Sequence, residues 1–274
     1  MPLTPTLDHV VVNTHHRMDE AADTYRRLGF TLTPRGFHSL GSMNHLAIFA
    51  TDYLELIGVP DTGGRQDLLS WPLGLNGLVW GSENAATTHT ALVEAAVPTL
   101  PAQHFTRPVA LPDGPQDAAF STVRLPNDTT SAGRLYFCQH FTRDLVWRDE
   151  WRQHANGTIA IAAAVIVAQD PARLGALFTA MFGPAAVRPI EGGLRLAVGM
   201  ANFDVLTRPA LAERFGAETL PDDGRPEAMA ALVMRTTALA TTAQALQGTP
   251  TRTHAGQILV PPAAAFGVTL AFQE

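Results

Sequence analysis

The sequence predicts an α+β fold built from four βαβββ modules, paired into two cup-shaped mixed sheets with helices outside. Three observations carry that prediction. Short β-branched runs alternate with single helical stretches rather than with one helix per strand. The spacing of strand, helix and three further strands recurs four times along 274 residues. The first strand of the first copy and the last strand of that copy each set one hard polar side chain, His9 and Glu55, among aliphatics.

The first module opens with Leu7 to Asn13, a strand by composition. A polar turn, Thr14-His15-His16, leads into a helix whose Met18, Ala21, Ala22, Tyr25 and Leu28 fall on one face. Gly29 is a C-cap, and Phe30-Thr31-Leu32 reads as the second strand. His45 to Ala50 and Tyr53 to Val59 follow as strands joined by Thr51-Asp52. The second module has a strand at Asn76 to Trp80 and a helix from Ala85 to Ala96. Its further strands lie near Phe105 to Leu111, Ala119 to Leu125 and Arg134 to His140.

The third module starts at Thr158, and Asp170-Pro171 supplies an N-cap with proline at the first helical position. It ends with Asn202-Phe203-Asp204-Val205-Leu206, which matches Tyr53-Leu54-Glu55-Leu56-Ile57 even to the carboxylate. The fourth begins at Ala230-Ala231-Leu232-Val233-Met234 and ends at Val268 to Glu274. Two domains are therefore expected, 1–147 carrying the site and 148–274 a degenerate pair whose place for His9 lies in Ile161-Ala162-Ala163-Ala164. Trp147 and Trp151, at i,i+4 in the charged bridge, are expected to pack between the halves.

Composition narrows the function. A net charge of −6 and a pI of 5.9 argue against nucleic acid, whose binding rests on phosphate neutralisation. The single cysteine, Cys138, excludes an intrachain disulfide and a cysteine-based zinc site, and is read as buried and inert. No signal peptide or membrane span is visible, so a cytoplasmic protein, monomer or homodimer, acting on a small molecule is expected. Gly192-Gly193 is too small and badly placed for a phosphate loop, and no serine nucleophile elbow appears.

In a βαβββ module the crossover helix carries strand 1 to the far edge, and strands 2 to 4 meander back beside it. Residues on the inner faces of strands 1 and 4 then meet, which brings His9 to Glu55. In the second module Gly77 takes the place of His9, and Gln139 or His140 is expected to answer Glu55. Only one of those two neighbours faces the cup. His9, Glu55 and His140 form a candidate set for a divalent ion such as Zn, Ni, Mn, Co or Fe. Glu55 is also the candidate to move a proton. Asn44, His45 and Gln139 are candidate substrate contacts at the cup mouth.

Asp8-His9-Val10-Val11, Leu28-Gly29-Phe30, the loop His38 to His45, Tyr53-Leu54-Glu55-Leu56 and Phe137-Cys138-Gln139-His140 resemble the vicinal oxygen chelate superfamily, in its glyoxalase-like branch. The resemblance runs over about Leu7 to Trp147 and is one of pattern alone beyond. It implies paired βαβββ modules, a divalent metal on the inner sheet face, and a substrate that chelates it through adjacent oxygens. It implies a lyase or isomerase of glyoxalase type, with a metal-free small-molecule binder or an extradiol dioxygenase as alternatives. Many relatives carry a ligand where this chain has Gly77.

Overall fold

In the computed structural model, which describes residues 2–111 and 114–274, the four modules are present in order. The first holds β1 (Leu7–His15), α1 (Met18–Arg27), β2 (Gly36–Phe37), β3 (Met43–Ile48) and β4 (Tyr53–Gly58). A short α2 (Gln66–Leu69) precedes the second, which holds β5 (Gly74–Gly81), α3 (Ala85–Glu94), β6 (Gln103–Val109), β7 (Gln116–Arg124) and β8 (Arg134–His140). The third holds β9 (Thr158–Ala168), α4 (Pro171–Phe182), β10 (Val187–Ile190), β11 (Gly193–Val198) and β12 (Ala201–Leu206). After α5 (Arg208–Phe215) comes the fourth, with β13 (Glu227–Thr236), α6 (Leu239–Ala245), β14 (Arg252–His254), β15 (Gln257–Val260) and β16 (Thr269–Gln273).

The strands form two eight-stranded sheets of matching order, β2-β3-β4-β1-β5-β8-β7-β6 and β10-β11-β12-β9-β13-β16-β15-β14. In each module the fourth strand lies parallel to the first, β4 on β1 and β8 on β5, while β1 and β5 pair antiparallel across the sheet centre. In the first sheet the edges approach each other, since Ser39 N–H donates to the Thr106 carbonyl at 2.9 Å, and the cup is almost a closed barrel.

Alternation along each strand sorts the side chains into two interiors. Val10, Val12, Leu54 and Leu56 face the helices and belong to a core that joins both halves. There Trp80 packs on Phe182 at 5.3 Å and on Phe203 at 5.6 Å. Val11, Tyr53, Ile57, Val79 and Tyr136 face the first cup. The second cup is filled by Ala163, Val165, Leu206, Val233 and their neighbours, so it is core rather than cavity.

Two expectations are corrected. Phe30-Thr31-Leu32 is not a strand, and the second strand is the two-residue β2. The Thr31 backbone N–H is taken by Nδ1 of His154 at 3.0 Å, in the bridge between the halves, so it is not free to join a ladder. Trp147 packs in the first cup against His140 and Tyr53, not between the halves, and Trp151 lies against the same cluster. The helix α5 follows the third module; Thr207 caps it, with proline in its first turn. Among the described residues no helix is long and apolar enough to cross a membrane.

Candidate active site

A β-bulge makes the site. Leu7 opposes Trp80 and His9 opposes Val79, so β1 carries one residue more than β5, and that residue is Asp8. A bulge turns its extra side chain toward its neighbour's face. Asp8 and His9, which strict alternation would separate, thereby meet: His9 Nδ1 lies 2.6 Å from Asp8 Oδ1. His140, on the inner face of β8, brings its Nε2 to the same oxygen at 3.0 Å.

Asp8 is buried, which by itself raises a carboxyl pKa. The charge and hydrogen bonds of His140 and His9 outweigh this and hold it far below the usual carboxylate range. Asp8 is thus an acceptor only, so His9 donates to it from Nδ1 and turns Nε2 into the cup. Nε2 faces the Tyr136 hydroxyl at 3.3 Å and Glu55 Oε2 at 3.7 Å. The imidazole stacks on Tyr53, with centroids 4.4 Å apart.

Glu55 is buried on the inner face of β4. Asn44, on β3, donates from Nδ2 to Glu55 Oε1 at 2.7 Å. His38 Nε2 is 3.9 Å from the same oxygen. Burial pushes the His38 pKa down to about 4, against the opposing pull of Glu55, so this imidazole is neutral. Burial also raises the phenol of Tyr136 and the thiol of Cys138, which stay protonated.

These groups surround a cavity of about 50 Å³. It adjoins a wider depression of about 460 Å³, with Arg65, Arg124 and Arg134 common to both. A larger groove of about 790 Å³, beside Arg17 and Phe266, lies outside the cup and lacks these groups. Chemistry rather than size marks the site.

The structure brings together His9, Glu55 and Asn44 and rearranges the rest of the expected set. By register, His9 pairs with Tyr53 and Gly77 with Arg134, so Tyr136, two residues on, stands where Glu55 stands in the first module. Neither Gln139 nor His140 has that place. His140 does face the cup, but its Nε2 is engaged by Asp8. Gln139 points to the helix side, where its Oε1 accepts from the Ala85 N–H and caps α3. His45 also faces outward, opposite Leu56; its Nδ1 meets the Thr33 carbonyl at 2.7 Å and its Nε2 accepts from Arg35. Neither residue is a substrate contact in this arrangement.

The sequence alone does not place Asp8, Tyr136, His38 or four arginines, Arg65, Arg107, Arg124 and Arg134, in the site. Asp8 was hidden because alternation puts it on the wrong face. The arginines carried a signal that was there to be read, since Arg107 and Arg124 sit within β-runs.

Among the described residues, the group of three His, Cys, Asp or Glu whose ligand atoms lie within 4.8 Å of one another is Asp8, Cys138 and His140. His9, Glu55 and His140 do not form such a group. The donor chemistry at His9 and Glu55 nevertheless suits a divalent ion: an imidazole lone pair anchored by a carboxylate behind it, an oxygen anion, and the Asn44 Oδ1, buried without a partner. In the second half Asp204 occupies the place of Glu55 but is clasped by Arg195 at 2.6 Å and Arg214 at 2.7 Å, with no histidine near it in register.

A family model described as "Glyoxalase-like domain" matches residues 7–182, more than half of the chain. No curated protein matches it in sequence. Among solved structures, a hypothetical protein from Staphylococcus aureus is similar at 11% identity, covering 98% of both chains with a TM-score of 0.66. A mutant of 4-hydroxymandelate synthase from Streptomyces coelicolor is similar at 12% identity over 99% of this chain and 92% of that one, TM-score 0.58. A xylose isomerase-like TIM barrel/4-hydroxyphenylpyruvate dioxygenase fusion protein is similar at 12% identity and TM-score 0.58; this chain spans 50% of its length. At such identities the likeness is one of fold.

Proposed function

We propose, from the premise that this chain belongs to the glyoxalase-like domain family, that the first cup is the active site of a metal-dependent enzyme of lyase or isomerase type. Its substrate is a small molecule with adjacent oxygens. His9 Nε2 and a Glu55 oxygen would hold a divalent ion, with Asn44 Oδ1 the nearest unpaired oxygen. A bound ion supplies Lewis acidity toward a substrate carbonyl.

The chain's own residues do the rest. Asp8 fixes the His9 tautomer and ring direction, as carboxylates behind ligating histidines do. Asn44 occupies Glu55 Oε1, which leaves Oε2 toward His9. Glu55 is the group that takes and returns a proton on the substrate.

The observation that supports this most is the 3.7 Å approach of His9 Nε2 to Glu55 Oε2, with the far side of His9 anchored. Titration of metal-free protein with Zn, Ni, Mn, Co and Fe(II) by calorimetry tests it. One ion per chain is expected, lost in both His9→Ala and Glu55→Ala. Binding unchanged by these substitutions removes the proposal.

A metal-free binding protein is the second reading, favoured by Gly77. A Cβ there would lie 2.8 Å from the Val11 Cβ, so the fold leaves no room for a ligand on that strand. Protein isolated without metal that still binds small molecules supports it. A dioxygenase ranks third, because His9, Glu55 and His140 do not gather at one point; oxygen uptake with catechols after Fe(II) loading checks it.

A further inference from the structure

The second-module wall of the first cup carries charge that no carboxylate among the described residues answers. Arg107, on β6, is 3% exposed, and its Nε and Nη2 have no hydrogen-bond partner. Arg134, on β8, is 8% exposed; Nε donates to Asn76 Oδ1 at 3.0 Å, while Nη2 has no partner. Thr122 Oγ1, on the neighbouring β7, is also buried and unpartnered. All three residues line the cavity that His9 and Glu55 line. Among the described residues no carboxylate forms an ion pair with Arg107 or Arg134.

Their surroundings sharpen the point. Arg65 and Arg124 line the same cavity but are answered by Asp67, at 2.7 and 3.7 Å. In the second cup both arginines close on Asp204. Only Glu55 among the residues lining the first cup is a carboxylate, and it is committed to Asn44 and faces His9. A buried guanidinium without an anion is costly, since its desolvation is not offset. Two of them, on β6 and β8 with the Thr122 strand β7 between, line one cavity of a protein of net charge −6 and mark it for an anion.

The placement of Arg134 is telling. Its Nη2 lies 3.8 Å from where a Cβ of Gly77 would stand, at the place that matches His9. The two halves of the cup have thus diverged: the first presents an imidazole and a carboxylate, the second a guanidinium. Gly36 serves the other arginine. A Cβ there would lie 2.5 Å from Cδ of Arg107 and 2.6 Å from both Arg107 Nη1 and Asn44 Oδ1. Glycine lets β2 close down on the guanidinium and hold it beside the Asn44–Glu55 pair.

We propose that the guanidiniums of Arg107 and Arg134 and the Thr122 hydroxyl make this cavity a site for small organic acids, so that the substrate of this cup is a carboxylate anion. Planar guanidinium and planar carboxylate match in two parallel bonds. The inference rests on reading the cup as the reactive site, but it concerns other residues.

The test uses the full chain and follows oxalate, benzoate and inorganic phosphate by calorimetry and thermal shift, with benzyl alcohol as the uncharged control. The carboxylates are expected to bind and to raise the melting temperature, and benzyl alcohol to do neither. Arg107→Gln and Arg134→Gln are each expected to weaken carboxylate binding ~10–100-fold, while the metal titration of the same variants is unchanged. If a glutamine variant does not fold, Arg107→Lys and Arg134→Lys keep the charge, lose the paired bonds and are expected to bind ~10-fold more weakly. Carboxylates that do not bind, or bind the variants as well as the parent, overturn the proposal. Phosphate alone binding overturns the carboxylate assignment. Loss of metal binding in His9→Ala with carboxylate binding intact separates this inference from the metal site.

Discussion

His9 and His140 meet on one oxygen: both donate to Oδ1 of Asp8, at 2.6 and 3.0 Å, from strands that are not neighbours in the sheet. The bulge at Asp8 spans the gap across β5. In the proposed site His140 would support the His9 imidazole through Asp8.

Replacing that carboxylate separates anchoring from ligation. Asp8→Asn keeps the shape but removes the charge that fixes Nδ1–H on His9. Metal affinity is expected to fall ~10–100-fold, with a secondary-structure spectrum like that of the parent. His140→Ala is expected to have a smaller effect in the same direction; an effect larger than that of Asp8→Asn would make His140 a ligand.

Asn44 and His45 are neighbours with opposite fates. Asn44→Ala removes the bond to Glu55 and is expected to weaken both metal binding and turnover. His45→Ala is expected to leave both unchanged and to cost about 1–3 kcal/mol of stability, because the Thr33 carbonyl loses its partner. Paired denaturant and calorimetric titrations read the two outcomes.

Restoring a ligand on β5 is expected to fail. Gly77→Ala already puts a carbon within 2.8 Å of Val11 and is expected to cost about 1–3 kcal/mol by chemical denaturation. Gly77→His is expected to destabilise further without adding a metal ligand.

Stability has a pH signature at Asp52. Burial raises its carboxyl to about 6 from the ordinary 3.8, although the Ile161 N–H at 3.0 Å pulls the other way. The folded state therefore binds this proton more tightly than the unfolded chain does. Its contribution is full below about pH 3.8 and is lost as pH rises through about 6. A shift of about two units corresponds to about 3 kcal/mol. Asp52→Asn is expected to remove this fall between pH 4 and 7 and to leave the variant the more stable protein at pH 7, measured by urea midpoints across the range.

What the sequence determined by itself was the repeat. Period-two runs and one helix per four strands specify a module, because a strand's faces follow from alternation and a helix's face from its 3.6-residue turn. Once the module is known, the meeting of His9 with Glu55 follows, since both lie on inner faces of strands that must adjoin. The outward turn of Leu54 and Leu56 follows by the same rule. The tertiary structure alone decided what depends on breaks in that rule or on contacts between modules. The bulge puts Asp8 beside His9 against alternation. The register of β5 on β8 gives Tyr136 the place expected of Gln139 or His140. Arg107 and Arg134 come from β6 and β8, and that no carboxylate among the described residues pairs with either shows only in the folded sheet. Local periodicity fixes which face a side chain takes; only the assembled cup decides what it meets there.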